Sequence, residues 1–169
     1  MCGFVGFVDK KKKKDKDKII KDMADAIIHR GPDSDGYYTD DKVALGFRRL
    51  SIIDLKGGDQ PIYNEDNSMV ITFNGEIYNY QELREELIEK GHKFKTNTDT
   101  EVILHGYEEY KEELFPRLRG MFAFVIYNTK SGELVGCRDQ FGIKPFYYYK
   151  KVIEKDIYYK KAQQFINDY

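Results

Sequence analysis

The sequence is poor in cysteine and lacks any long apolar segment. Its only two cysteines, Cys2 and Cys137, exclude a disulfide framework. No run of about 18 apolar residues is present, which excludes a membrane-spanning helix. The lysines of 10–14 interrupt the apolar stretch at the start, so a secretory signal is also excluded. These absences predict a cytoplasmic protein in a reducing environment, where a free thiol persists.

Motifs for several kinds of chemistry are also missing. The sequence has no glycine-rich phosphate loop and no GxSxG elbow of a serine hydrolase. It has no CxxC or HExxH pair, and His29, His92 and His105 are scattered, which predicts no metal site. The net charge of −1 gives no general attraction to nucleic acid or membranes. The lysine-rich segment 10–18 is predicted to be a solvated loop.

The sequence does contain enough apolar surface for one folded domain. Of its 169 residues, 41% are hydrophobic and 15% are aromatic, which supports a substantial core. Apolar residues at helical spacing predict a first helix over 18–28. Runs of β-branched and aromatic residues separated by short turns predict strands. The predicted strands are 3–8, 37–39, 43–47, 69–73, 121–127, 133–138 and 146–149.

Turn and capping signals divide these elements. Asn79 and Gly91 are predicted to begin and end a second helix, and the sequence from Thr98 to Glu101 has the pattern of a capping box for a third. Asn74-Gly75-Glu76 is predicted to form a turn after the strand at 69–73. Because neighbouring strands are joined by short turns, the chain is predicted to be α+β, with antiparallel sheets and helices on their outer faces.

Cys2 directly follows the initiator methionine. If Met1 is removed, one residue carries both a thiol nucleophile and an α-amine that can act as its base. The amine titrates near pH ~8 and a thiol near ~8.5, so proton exchange between them is nearly balanced. The alternative is that Cys2 is a small hydrophobic residue near the start of a strand. Its position in the sequence leaves both interpretations open.

An N-terminal thiol enzyme that acts on an amide needs an oxyanion hole and groups that hold the substrate. Asn74 and the Gly75 backbone N–H are candidates for the hole, although Asn-Gly is also a common hairpin turn. A substrate carboxylate needs a bidentate cation, for which Arg48 and Arg49 are both candidates. Asp99 is a candidate for binding a substrate ammonium, or for offsetting the dipole of the third helix.

Eight motifs in order resemble a known family. Together they are similar to the glutaminase domain of glutamine-hydrolysing asparagine synthetases, which are class II (N-terminal nucleophile) glutamine amidotransferases. The resemblance covers about residues 2–149. The motifs are Cys2-Gly3, His29-Arg30-Gly31-Pro32-Asp33, Arg49-Leu50-Ser51-Ile52, Gln60-Pro61, the segments from Asn74 to Asn79, Thr98 to Glu101 and Leu118 to Phe124, and Arg138-Asp139-x-Phe141-Gly142-Ile143-Lys144-Pro145.

The resemblance implies a four-layer αββα sandwich of two antiparallel sheets, the N-terminal nucleophile hydrolase fold. It implies hydrolysis of L-glutamine to L-glutamate and ammonia, with Cys2 as nucleophile and Asn74 and Gly75 as oxyanion hole. It selects Arg49 for the substrate α-carboxylate and Asp99 for the α-ammonium. The glutamine site would also include Glu76 and the backbone of Leu50, Ser51, Ile52 and Ile53.

The resemblance also implies what this chain does not contain. Asparagine synthetases continue into a second domain that uses ATP and Mg²⁺, whereas this sequence has no Ser-Gly-Gly-x-Asp loop and ends at Tyr169. We therefore expect a glutaminase domain at 1–149 that needs no cofactor, followed by an atypical tail at 150–169 that is either helical or a truncated linker. The expected partner is an ammonia-accepting synthetase domain or subunit, and a homodimer is left open.

Two rival functions use the same fold. One is a non-catalytic module that senses glutamine or binds another protein. The other is an N-terminal nucleophile hydrolase that acts on a different amide, against which the pair Arg49 and Asp99 favours a free amino acid.

Overall fold

The computed structural model describes residues 2–9, 15–50 and 58–150. Within these residues the chain forms seven strands and three α-helices, with two short 3₁₀ segments at Ile28–Arg30 and Lys111–Arg117. The elements are, in order, β1 (Gly3–Val8), α1 (Lys16–Asp25), β2 (Ser34–Thr39), β3 (Val43–Arg49), β4 (Ile62–Tyr63), β5 (Met69–Ile77), α2 (Tyr80–Glu89), α3 (Thr100–Tyr110), β6 (Gly120–Asn128) and β7 (Leu134–Arg138).

The strands form two antiparallel sheets. The first has the order β1-β3-β2, and the second has the order β4-β5-β6-β7. In the first sheet Gly3 lies opposite Arg48, so the start of β1 lies beside the end of β3. In the second sheet Asn74 lies opposite Ala123, in the long pairing of β5 with β6. The predicted strands at 37–39 and 43–47 and at 121–127 and 133–138 form the antiparallel hairpins β2–β3 and β6–β7.

The sheets and helices stack in four layers. Helix α1 buries Ile20 and Ala24 against the first sheet, while α2 and α3 cover the outer face of the second sheet. Val43 and Leu45 of the first sheet meet Val70 and Val125 of the second in a smaller core between the sheets. Because strand side chains alternate between faces, each sheet can pack on both sides. The predicted α+β fold with two antiparallel sheets and outer helices is confirmed.

The prediction of a turn at Asn74-Gly75-Glu76 is wrong. Strand β5 continues through these residues to Ile77 and stays paired with β6. A Cβ atom at Gly75 would collide with the carbonyl oxygen of Met121, and Gly75 has a φ of +154°. Glycine is therefore required here for the close approach of two strands rather than for a turn.

The first helix starts earlier than predicted and ends earlier. It runs over Lys16–Asp25, and Lys16 is buried, so the part of the predicted 10–18 loop that the structure describes is not solvated throughout. The Lys16 ammonium donates to the carbonyl oxygens of Asp9, Asp40 and Asp41, which tie the start of α1 to the β2–β3 turn. Three carbonyl acceptors allow the charged group to be buried.

The predicted capping hydrogen bonds are also absent. Asn79 precedes α2, but its side chain bonds instead to the backbone of Arg117 and Arg119. The Glu101 carboxylate accepts hydrogen bonds from the backbone of Lys95 and Thr96 and does not reach back to the predicted N-cap Thr98. Both side chains hold neighbouring loops in place of the first helical turn.

The aromatic segment 146–149 is not a strand, and Tyr147 is 92% exposed. Cys137 is buried in β7, within the predicted strand 133–138. The predicted helix or linker over the tail lies outside the described residues beyond 150. No helix in the described ranges combines the length and the apolar character needed to span a membrane.

Candidate active site

A cavity of about 250 Å³ opens where the ends of the two sheets meet the start of α3. Pockets for drug-sized ligands hold roughly 300–1,000 Å³, so this volume suits a ligand the size of one amino acid. Cys2, Arg49, Asn74, Gly75 and Asp99 all line it. Five residues that are up to 97 positions apart in the chain are therefore brought to one place.

Cys2 lines this cavity and is held by Leu50, which directly follows β3, and by Arg30 of the first 3₁₀ segment. The Leu50 backbone N–H donates to the Cys2 sulphur at 3.3 Å, and the thiol donates to the Leu50 carbonyl at 3.4 Å. The Arg30 guanidinium donates to the Cys2 carbonyl at 3.2 Å. Cys2 is only half-buried, so the thiol has both a fixed backbone and access to the cavity.

The two adjacent arginines point in different directions. Arg49 lines the cavity and pairs with Asp59, with 3.0 Å between Nη1 and Oδ1. Arg48 does not line the cavity, and its guanidinium is bound to Asp25 at the end of α1 and to Asp35 on β2. Because successive strand residues face opposite sides, only one of the two can reach the cavity, and it is Arg49.

Asn74 and Gly75 supply polar groups from the second sheet. Both line the cavity, and the Asn74 side chain is buried there. Their strand is held from the other side by Gln60, whose amide donates to the Phe73 carbonyl and accepts from the Phe73 N–H. The Gln60 side chain thus makes the two backbone hydrogen bonds with Phe73 that a neighbouring strand would make, one residue before Asn74.

Asp99 is a buried carboxyl that also lines the cavity. Burial raises the pKa of Asp99 to about 6, and the nearby Glu76 charge adds to the rise against the hydrogen bonds it accepts, among them one from Ile77 N–H at 2.8 Å. No cation is paired with Asp99 among the described residues. A cationic group bound in the cavity would therefore stabilise the ionised form of Asp99.

Three predicted site residues lie outside the described part of the chain, namely Ser51, Ile52 and Ile53. Leu50 and Glu76, which the resemblance also assigns to the glutamine site, line the cavity.

Three further residues that shape the site were not predicted from the sequence. Gln60 and Lys144 line the cavity, and Arg30 anchors the Cys2 backbone. Lys144 is held by Asp139, whose carboxylate accepts hydrogen bonds from four backbone N–H groups, including that of Lys144. Each lies in a recognised motif, yet a motif alone does not say which side chain points at the cavity.

The site thus combines a thiol, polar groups suited to an oxyanion, the Arg49 guanidinium and the buried Asp99 carboxyl, which has no paired cation among the described residues. A thiol is a nucleophile towards carbonyl carbon, and buried polar groups stabilise the oxyanion that such an attack produces. The separate positive and negative groups match the carboxylate and ammonium of a free amino acid.

The sequence is similar to known amidotransferases. Residues 1–166 match the family model described as a glutamine amidotransferase domain. The glutamine-hydrolysing asparagine synthetase 1 of Bacillus subtilis (strain 168) is 54% identical over 167 residues, which is 97% of this chain and 26% of that protein. Asparagine synthetase 3 of Arabidopsis thaliana is 45% identical over 150 residues, or 87% of this chain and 25% of that protein. The chain spans about a quarter of these relatives.

Solved structures share the fold. The structure described as the allosteric regulatory enzyme of purine biosynthesis is 26% identical, with a TM-score of 0.52 over 62% of this chain and 25% of that one. Glutamine phosphoribosylpyrophosphate amidotransferase from B. subtilis, 22% identical, superposes with a TM-score of 0.50 over 60% of this chain and 24% of that one.

We expect the two cysteines to differ in reactivity. Iodoacetamide should modify Cys2 in the folded protein and leave Cys137 intact, because Cys137 is 2% exposed and burial raises the pKa of its thiol to about 12. Peptide mass spectrometry after brief labelling measures both sites. The Cys2→Ala variant should take up label only after unfolding in guanidinium. Equal labelling of both thiols in the folded protein would contradict the described site.

Proposed function

Because the chain belongs to the glutamine amidotransferase domain family, we propose that it hydrolyses L-glutamine to L-glutamate and ammonia with Cys2 as the nucleophile. The observation that carries the proposal is the shared cavity of Cys2, Arg49, Asn74 and Asp99. It supplies a nucleophile and one charged partner for each end of a free amino acid.

Two opposite charges orient the substrate. The Arg49 guanidinium binds the α-carboxylate of glutamine, and Asp59 holds that guanidinium in place. Asp99 binds the α-ammonium, which offsets the cost of burying its carboxylate. With both α-groups held, the side-chain amide extends towards the Cys2 sulphur.

The reaction requires Cys2 to be the first residue. The freed α-amine takes the thiol proton, and the sulphur attacks the amide carbon. Asn74 and Gly75 stabilise the resulting oxyanion. The amine then protonates the leaving nitrogen, ammonia departs, and a glutamyl thioester remains on Cys2. Water cleaves the thioester to glutamate and restores the thiol.

The ammonia would be used elsewhere. The relatives are named glutamine-hydrolysing asparagine synthetases and are about four times as long as this chain. We propose that a synthetase domain or subunit accepts the ammonia and that ATP and Mg²⁺ act there, while the glutaminase step needs no cofactor. A reducing compartment such as the cytoplasm suits a mechanism that depends on a free thiol.

We expect protein with Met1 removed to release glutamate and ammonia from glutamine, and Cys2→Ala to lose at least a thousandfold in rate while still binding glutamine. A matched preparation with a residue retained before Cys2 should also be inactive, because its α-amine is blocked. Intact mass defines each N-terminus, and a coupled glutamate assay measures the rate. Comparable ammonia release from Cys2→Ala would reject the mechanism. Glutamine binding without turnover by correctly processed protein would instead favour a sensing module.

The adjacent arginines form a matched test of substrate binding. We expect Arg49→Lys to raise the glutamine KM at least tenfold, because lysine cannot make the two parallel hydrogen bonds of a guanidinium with a carboxylate. Arg48→Lys should leave KM within about twofold, since Arg48 contacts α1 and β2 instead of the cavity. Steady-state kinetics of both variants measure the difference. Equal effects on KM would remove Arg49 from the carboxylate site.

Glutamine binding should depend on the ionisation of Asp99. With a pKa of about 6, Asp99 is mostly neutral at pH 5 and ionised at pH 7.5, so affinity should rise about tenfold between these values. In the free protein the folded state keeps Asp99 protonated up to a pH of about 6, whereas the unfolded chain ionises it near pH 4. The free energy of unfolding therefore falls as pH rises from about 4 to 6, and a bound ammonium offsets that loss. Glutamine should therefore raise the melting temperature more at pH 7.5.

The measurement uses Cys2→Ala protein, which does not turn over substrate, with calorimetry at both pH values. Asp99→Asn keeps an acceptor for the Ile77 N–H and should bind weakly at either pH. Asp22→Asn, on the exposed side of α1, is the control and should keep the pH dependence. Affinity that does not change between pH 5 and 7.5 would show that Asp99 does not bind the ammonium.

A further inference from the structure

Four side chains converge on the side of α3 remote from Cys2. Glu65 comes from the β4–β5 turn, His92 from the loop after α2, and His105 and Glu108 from successive turns of α3. One ligand atom from each lies within 4.8 Å of the others. None of the four lines the active-site cavity. The histidines predicted to be scattered are thus partly gathered by the fold, with ring centroids 5.1 Å apart.

His105 is the unusual member of this cluster. It is 1% exposed, yet neither of its ring nitrogens makes a hydrogen bond within the described residues. Its Nδ1 faces the Glu65 Oε2 at 3.2 Å and the Glu108 Oε2 at 3.9 Å. The Glu108 Oε2 is also buried without a hydrogen-bond partner. Buried polar atoms without partners are rare, and an ion between them would satisfy both.

In each of the two glutamates, the carboxylate oxygen Oε1 accepts a hydrogen bond from a donor outside the cluster. Asn64 donates its side-chain amide to the Glu108 Oε1 at 3.2 Å, which leaves Oε2 directed at the histidines. The Lys93 backbone N–H donates to the Glu65 Oε1 at 3.0 Å. Such outer hydrogen bonds orient carboxylate ligands in metal sites.

Each histidine also has a carboxylate behind it. The His92 Nε2 lies 3.5 Å from the Glu109 Oε2, and the His105 Nε2 lies 3.9 Å from the Glu101 Oε1. In both rings it is therefore Nδ1 that faces the cluster centre. At metal ions a carboxylate behind a ligating histidine fixes the ring and its tautomer when the ring N–H donates to it. Glu101 faces the His105 Nε2 from 3.9 Å and makes no hydrogen bond with it.

We propose that Glu65, His92, His105 and Glu108 bind a divalent transition-metal ion, for which Zn²⁺ is the best match. Tetrahedral Zn²⁺ with bonds of about 2.0–2.2 Å separates its ligand atoms by roughly 3.3–3.5 Å. The His105 Nδ1 lies 3.2 Å from the Glu65 Oε2, and the Nδ1 atoms of His105 and His92 lie 3.9 and 4.0 Å from the Glu108 Oε2. Two carboxylates and two neutral imidazoles balance the charge of the ion, and imidazole ligands disfavour Mg²⁺ and Ca²⁺.

The site is structural. Four protein ligands complete a tetrahedral shell and leave no open position for substrate. The ion joins the β4–β5 turn and the loop after α2 to α3, and Asp99 immediately precedes α3. It therefore stabilises the helix that carries one wall of the active-site cavity, without contacting the reacting atoms.

Calorimetric titration of Zn²⁺ into chelator-treated protein at pH 7.5 tests the proposal. The full chain carries Cys2→Ala, which removes the accessible thiol as a competing ligand and makes the result independent of glutaminase activity. We expect about one equivalent of Zn²⁺ to bind and to raise the melting temperature. Co²⁺ should give the visible absorption of a four-coordinate site.

Partly exposed ligands provide variants that keep the fold. His92→Gln and Glu65→Gln should each weaken Zn²⁺ binding at least tenfold with unchanged circular dichroism, whereas His29→Gln, on an exposed histidine of the first 3₁₀ segment, should bind normally. Absence of Zn²⁺ binding below millimolar concentration would overturn the proposal, as would affinity that is unaffected by both cluster variants. Either result would leave the cluster as a histidine–glutamate ion-pair network.

Discussion

Face-to-face packing of two antiparallel sheets is the constraint on which this structure depends. A small core of valine, leucine and tyrosine side chains joins the sheets, with Val43 and Leu45 against Val70 and Val125. This packing brings β1 against β5. Cys2 directly precedes β1 of one sheet and Asn74 lies on β5 of the other, so the thiol and its expected oxyanion hole meet because the sheets stack.

The two main charged groups of the cavity, Arg49 and Asp99, are neutralised to different extents by their protein neighbours. Asp59 already neutralises Arg49 in part, which allows the guanidinium to be buried. Asp99 has no such cation, and burial raises its pKa to about 6. An ammonium group bound beside Asp99 would consequently stabilise the ionised form of this carboxyl. The α-ammonium of the proposed glutamine substrate would supply the cation that Asp99 lacks.

Much of the fold was predictable because its signals are local. The β2–β3 and β6–β7 hairpins and the third helix follow from apolar periodicity and turn residues, and the resemblance to glutamine amidotransferases is confirmed. The errors occur where a distant segment competes with a local preference. Asn74-Gly75 has turn chemistry but lies in a strand because β6 pairs with it, and Asn79 bonds the backbone near Arg117 instead of capping α2.

The sequence by itself determined the residue types, the order of the elements and, through its motifs, the family. It could not choose between Arg48 and Arg49 on chemistry alone, because both are buried arginines at one strand end. Tertiary structure distinguishes the two by position, since Arg48 binds Asp25 of α1 while Arg49 lines the cavity. It also decided that His92 and His105 meet with Glu65. Side-chain proximity across distant segments depends on packing, which no local pattern encodes.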